Sequence, residues 1–153
     1  MLVVFDIDGT LANIEHRLHH VRQKPKRWDL FDAGIPQDKI IEPMREVLWS
    51  LAESENFIVF ASGRNERSRE DTITWLDSVA GVWEIAGTAN TLYMRAAGDY
   101  RNDAIVKKEI LDQIIKDYGK KPDIVFDDRP RVVRMWRENG IFVADVNQSG
   151  EEF

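Results

Sequence analysis

Near the amino terminus an apolar run breaks directly into acids: Leu2-Val3-Val4-Phe5 is followed by Asp6-Ile7-Asp8-Gly9-Thr10. Carboxylates one residue apart raise each other's pKa in a confined site, so the pair calls for compensating positive charge. Hard oxygen ligands of this kind suit Mg²⁺, which keeps several waters and takes one or two carboxylates together with substrate oxygens. A second acidic pair, Asp127-Asp128, closes another apolar run, Ile124-Val125-Phe126, and Ser62-Gly63-Arg64 follows Phe57-Ile58-Val59-Phe60. Three strand ends thus deliver polar side chains to one rim, which helix packing does not explain. Phosphoryl transfer needs a nucleophile, positive charge on the equatorial oxygens, a metal and an acid for the leaving group. Asp6 is the candidate nucleophile, forming an aspartyl-phosphate. Asp8 is the candidate acid and base, a role that requires its pKa to lie above that of a free Asp, pushed there by neighbouring anions.

The elements that must position these groups are read from apolar periodicity. Short apolar runs bounded by turns are buried strands, and in open α/β sheets ligands gather beyond the carboxyl ends of such strands. The segment from Asn13 to Ile40, which contains Pro25, Gly34 and Pro36, reads as irregular with one short helix, an insertion beside the site that can act as a small cap. Pro43 suits a helix start, and Met44, Val47, Leu48 and Leu51 keep helical spacing toward Ser54. Ala61 to Arg64 reads as a turn into a helix from about Glu66 to Val79, and Leu92-Tyr93-Met94 as a weaker strand. The polar turn Gly98 to Arg101 leads to a helix through Lys116, the segment from Arg131 to Asn139 to another, and Ile141 to Ala144 to a last strand. Strands alternating with helices predict an α/β fold with a central parallel sheet covered on both faces.

Bulk properties set the frame. The 153 residues form one domain, 43% hydrophobic and 31% charged, with no apolar stretch long enough to span a bilayer. No basic, apolar and small-residue leader opens the chain, and zero Cys removes disulfides and thiol chemistry, which fits a reducing cytoplasm. The net charge of −6 argues against broad adhesion to nucleic acid. Locally the balance reverses: from His16 to Arg27 the chain carries Arg17, Arg22, Lys24, Lys26 and Arg27 with no acid, interleaved with His19 and His20 and followed by Trp28. This segment is either a solvated helix face or a contact surface for an anionic substrate, and Trp28 is either a packing residue or a base-stacking one.

Asp6-x-Asp8-Gly9-Thr10 after an amino-terminal strand resembles the first motif of the haloacid dehalogenase superfamily of phosphohydrolases, which implies a three-layer Rossmann-like fold. In that pattern Ser62 hydrogen-bonds the phosphate, aided by the helix amino terminus behind it. Lys107, rather than the adjacent Lys108, steadies phosphate and nucleophile. Asp127 and Asp128 complete a Mg²⁺ site with Asp6 and the backbone carbonyl of Asp8.

The whole chain, residues 1–153, is similar more narrowly to the phosphatase domain of phage-type bifunctional polynucleotide kinase/3′-phosphatases. The matching stretches are Asp6 to Ala12, Ser62-Gly63-Arg64, Gly98-Asp99-x-Arg101-x-Asp103, Val106-Lys107, Asp127-Asp128-Arg129 and Met135-Trp136-Arg137. The resemblance implies substrate-binding roles for Thr10, Arg17, Gly63, Arg64 and Asp103, with Arg17 and Arg64 on phosphate, which guanidinium fits bidentately. A Gly-rich loop ending in Gly-Lys-Ser/Thr is missing, so kinase activity is not expected. The expected function is a Mg²⁺-dependent phosphomonoesterase acting on a polynucleotide 3′-phosphate or a nucleotide. The alternatives are a small-metabolite phosphatase and a silent phosphate-binding module.

Overall fold

A computed structural model describes residues 1–82 and 91–151. Its centre is a five-stranded parallel sheet in the order β5-β4-β1-β6-β7, formed by β1 (Leu2–Phe5), β4 (Phe57–Asn65), β5 (Leu92–Arg95), β6 (Ile124–Asp127) and β7 (Val143–Asp145). Strand β1 lies in the middle, with Val3 opposite Ile58 on one side and Ile124 on the other. Side chains alternate across a strand, so one continuous apolar run feeds two cores. Val3, Phe5 and Ile7 pack with Ile58, Phe60, Leu48, Trp75 and Leu76 on one face. Leu2 and Val4 pack with Val59, Val125, Val106, Ile110, Leu111 and Trp136 on the other.

The first core is covered by α3 (Glu42–Glu53) and α4 (Arg69–Ser78), the second by α5 (Asp103–Tyr118) and α6 (Pro130–Glu138). These are the three layers expected. Helix α3 starts with Pro43 in its first turn, where a missing N–H costs nothing. The side chain of Asn102 accepts a hydrogen bond from Ala104 N to open α5, and Gly119, at φ +72°, closes it in the left-handed region. Trp75 and Trp136 are fully buried, as their helical positions predict.

The segment from 13 to 40 is more ordered than its sequence suggests. It contains two helices, α1 (Glu15–Arg22) and α2 (Trp28–Ala33), and a 3₁₀ turn at Ile35–Gln37. It leaves and rejoins the body through a two-residue antiparallel ribbon, β2 (Ala12–Asn13) with β3 (Lys39–Ile40). The reading of one short helix falls short because α1 is almost without amphipathic character: its one buried residue is Arg17. Phe31 and Ile35 anchor the rest, and Trp75 Nε1 of α4 donates to the Asp38 carbonyl at 2.8 Å.

Two other expectations change. Ala61 to Arg64 is not a turn but the continuation of β4, which pairs with β5 through Ser62↔Met94 and shifts register before Asn65. The helix expected from Glu66 begins as a 3₁₀ turn at Glu66–Ser68, and α4 proper starts only at Arg69, with Glu70 and Asp71 in its first turn. The last strand is displaced slightly, to Val143–Asp145.

Candidate active site

The strand order reverses about β1, so the carboxyl end of β1 opens into the crevice where α/β sheets place ligands. The chain turns there through Gly9, at φ +88°, and Leu11 N and Ala12 N both donate to Ile7 O. A side chain at Gly9 is excluded twice: by its backbone conformation, and because a Cβ would lie 2.0 Å from Asp128 Oδ2.

Around this turn the predicted residues separate into two clusters. In the first, Lys107 reaches from α5 between the ends of β1 and β6. Its Nζ donates to Asp6 Oδ1 at 2.6 Å and to Asp127 Oδ2 at 2.7 Å. Thr10 Oγ1 donates to the other Asp6 oxygen at 3.1 Å, and Trp136 Nε1 to Asp127 Oδ2 at 3.1 Å. All of these residues are buried. Asp6, Asp127 and Asp128 offer carboxylate oxygens within 4.8 Å of one another. Burial pushes the Asp6 carboxyl pKa up despite Lys107, and burial with the nearby Asp6 and Asp127 charges pushes Asp128 up as well. Burial favours neutral Lys107, but Asp127 and Asp6 outweigh it and hold the amine charged. Three carboxylates share one ammonium, and this excess of oxygen donors and negative charge fits a divalent cation. Lys108, by contrast, sits on the surface against Asp112.

The second cluster surrounds Asp8, whose carboxylate turns away from the first. Asp8 Oδ1 accepts from Arg17 Nη2 at 2.9 Å, from Arg64 Nε at 2.9 Å and from Arg64 Nη2 at 2.6 Å. Both arginines are held from behind by Asp38: Arg17 Nε and Nη2 donate at 2.7 and 2.8 Å, and Arg64 Nη2 at 2.9 Å. His16 Nε2 lies 2.8 Å from Asp38 Oδ1. Arg17 also donates to Phe31 O at 3.3 Å with its guanidinium 4.1 Å from the Phe31 ring centre. Arg17 is therefore a buried ion-pair member, not part of a solvated basic face.

The expected pKa of Asp8 is reversed in this arrangement. Burial would raise it, but the Arg64 and Arg17 guanidiniums overcome that and hold the carboxyl below its ordinary range.

The remaining predicted residues line the edge. Ser62 is buried and its Oγ accepts from Arg64 N at 3.1 Å. The helix expected to follow it directly starts later in the chain, with a 3₁₀ turn at Glu66–Ser68 and α4 proper at Arg69. Gly63 O accepts from Arg95 Nε at 2.9 Å. Asp103 pairs with both Arg95 and Arg129. Trp28, whose sequence reading leaves packing and base stacking as alternatives, is 46% exposed.

Sequence reasoning missed Asp38 and Arg95. Arg95 carries the signal that found Asp6 and Arg64, a charge at a strand's carboxyl end. Asp38 follows a 3₁₀ turn in the insertion, and nothing local distinguishes it from a surface acid.

Comparison with known proteins agrees with this geometry. The family model of the polynucleotide kinase PNKP phosphatase domain matches residues 1–151. A protein of Autographa californica nuclear polyhedrosis virus, named as a bifunctional polynucleotide kinase/RNA ligase, is 30% identical over 138 residues, which are 89% of this chain and 18% of the viral one. A solved chain of the Pnkp1/Rnl/Hen1 complex is 30% identical with a TM-score of 0.70, covering 95% of this chain and 45% of that one. The chain thus spans less than half the length of these relatives. The class C acid phosphatase from Bacillus anthracis, at 14% identity and a TM-score of 0.63 over 95% of this chain and 66% of its own, shares the fold. The chain belongs to the family of PNKP phosphatase domains, and it is a phosphatase of the haloacid dehalogenase superfamily.

Proposed function

We propose that this phosphatase removes the 3′-phosphate from polynucleotide ends through an aspartyl-phosphate on Asp6. The observation that carries the chemistry is the engagement of both Asp6 carboxylate oxygens, by Lys107 Nζ at 2.6 Å and Thr10 Oγ1 at 3.1 Å, at the open end of β1. Held this way, the carboxylate is oriented before substrate arrives, and orientation supplies much of the acceleration in such displacements. Asp6 attacks phosphorus and the bond to the 3′-oxygen breaks; the arginines that keep Asp8 ionised in the free protein turn to the incoming phosphate, which frees Asp8 to take up a proton from solvent and give it to that oxygen. Water then attacks the acyl-phosphate, Asp8 takes the proton back, and inorganic phosphate leaves.

Arg17 and Arg64 meet at Asp8 Oδ1, and an incoming phosphate competes with that carboxylate for the same guanidinium edges. Ser62 and Gly63, on the adjoining edge of β4, border the phosphate position. Asp6, Asp127 and Asp128 would hold Mg²⁺, which supplies charge neutralisation at the phosphoryl oxygens. The polynucleotide substrate is supported by membership of a polynucleotide kinase phosphatase family and by the short insertion from 13 to 40, a small cap that leaves the rim open to a bulky end.

The test is phosphate release with Mg²⁺ from 3′-phosphorylated and 5′-phosphorylated oligonucleotides and from mononucleotides. The expected result is preference for the 3′-phosphorylated strand, a base-labile phosphoryl label on the protein, and a fall in kcat on the order of 10⁴-fold or more in Asp6→Asn. Equal turnover of mononucleotides would move the substrate to nucleotide metabolism, and full activity in Asp6→Asn would refute the covalent route.

A further inference from the structure

Beyond the site, Trp28 at the start of α2 is 46% exposed and follows a basic stretch of the insertion. We infer that Trp28 is a stacking platform for a base of single-stranded nucleic acid adjoining the phosphorylated end, an inference that rests on the polynucleotide reading above.

Three observations carry it. The first is position. The Trp28 ring meets Phe31 edge-to-face, with centres 5.7 Å apart, and the Arg17 guanidinium lies 4.1 Å from the centre of the same Phe31 ring. Arg17 in turn donates to Asp8 at 2.9 Å. The exposed indole is thus joined to the ion-pair cluster at the reacting end by a short chain of contacts, Trp28 to Phe31 to Arg17.

The second is charge. Arg22, Lys24 and Lys26 are exposed, and among the described residues they make no salt bridge, whereas Arg27 is neutralised by Asp29 at 2.7 Å. In a chain of net charge −6 this is a local reversal of sign beside the site. Cations of this density track a phosphate backbone.

The third is the combination of the two on one side chain. Lys26 Nζ lies 5.6 Å from the centre of the Trp28 ring, so cation and aromatic face occur together. Base stacking on an aromatic side chain is tolerant of sequence, because every base has a π-face, and suits an enzyme that must accept any strand end. The exposed part of the indole leaves an aromatic face in reach of solvent beside that cation.

The experiment compares kcat/KM for a 3′-phosphorylated pentanucleotide with that for a nucleoside 3′-monophosphate, in the wild type, Trp28→Ala and Trp28→Phe. The ratio is expected to fall about tenfold in Trp28→Ala, through KM, and to recover largely in Trp28→Phe, which keeps a ring. A double variant, Lys24→Gln with Lys26→Gln, is expected to lower the same ratio and to flatten its dependence on salt. A wild-type preference for the oligonucleotide that survives Trp28→Ala overturns the platform and leaves the substrate reading standing. A wild type with no preference for the oligonucleotide overturns the substrate reading itself, and the platform with it. Because the readout is a ratio between two substrates, general damage to the site from the substitution does not imitate the expected result.

Discussion

Two groups of buried charges meet at the end of β1, and they are built on opposite principles. Around Asp6, three carboxylates face one ammonium; around Asp8, two carboxylates face two guanidiniums. The consequences run in opposite directions. Asp6 and Asp128 are pushed toward the neutral acid by burial and by neighbouring carboxylates, Asp127 acting on both, whereas the arginines hold Asp8 ionised. The balanced group is complete as it stands, with both acids bridged by hydrogen-bonded guanidiniums. The acidic group is short of positive charge by design of its residues, and that shortfall is what a metal-dependent site needs before its cation binds.

The sharpest way to break this contrast is to unbalance the balanced side. The Asp38 side chain is fully buried beneath two guanidiniums, so Asp38→Ala leaves both cations sharing Asp8 alone. We expect a loss of about 3–5 kcal/mol of unfolding free energy, the cost of orphaning a buried charge, measured by urea denaturation. A loss below about 1 kcal/mol would mean that water replaces Asp38 without penalty, and the cluster would not be the closed unit described.

A second, smaller effect should appear on the acidic side only when a cation is added. Mg²⁺ at a hundredfold excess over its Kd stabilises the folded state by about 2.7 kcal/mol. For a chain of this size that is on the order of 5–10 °C in Tm. Asp128→Asn should lose most of that gain. An equal Mg²⁺ shift in wild type and variant would place the ion elsewhere.

The smallest effect calibrates the other two. Lys108 pairs with Asp112 at 2.6 Å, as short as the Lys107 contact to Asp6, yet both partners lie at the surface. Lys108→Ala should change stability by less than about 0.5 kcal/mol in the same urea measurement. A large change there would show that ion-pair length, rather than burial, governs these energies.

How much of this could be read from sequence follows the same division. The acidic side was legible because a sheet positions it: unbroken apolar runs mark β1 and β6, and the acids stand at their carboxyl ends. Lys107 was legible by resemblance, and its burial on the inward face of α5 agrees with that choice over Lys108. The arginine side was half hidden. Arg64 stands in a stretch whose Ser and Gly suggest a turn, but pairing with β5 overrides that local preference. Helix α1 escaped because periodicity finds helices that bury apolar side chains, and this one buries an arginine. Asp38 left no mark at all, since its partners come from α1 and β4, remote in the chain. The pKa of Asp8 was misjudged for that reason: the acids near it in sequence were visible, and the cations near it in space were not.

The ribbon formed by Ala12 and Asn13 with Lys39 and Ile40 has a consequence for how such a molecule diversifies. Because the insertion's two ends are fastened side by side, its tip around residues 23 to 27 is free to lengthen or shorten without shifting the sheet. Each doubling of such a loop costs only about 0.6 kcal/mol of closure entropy. The constraint lies at the base, where Arg17 and Asp38 must both return to the same ion pair. The segment is an interchangeable tip on a fixed socket, so a few surface residues can be redrawn while the buried ion pairs stay where they are.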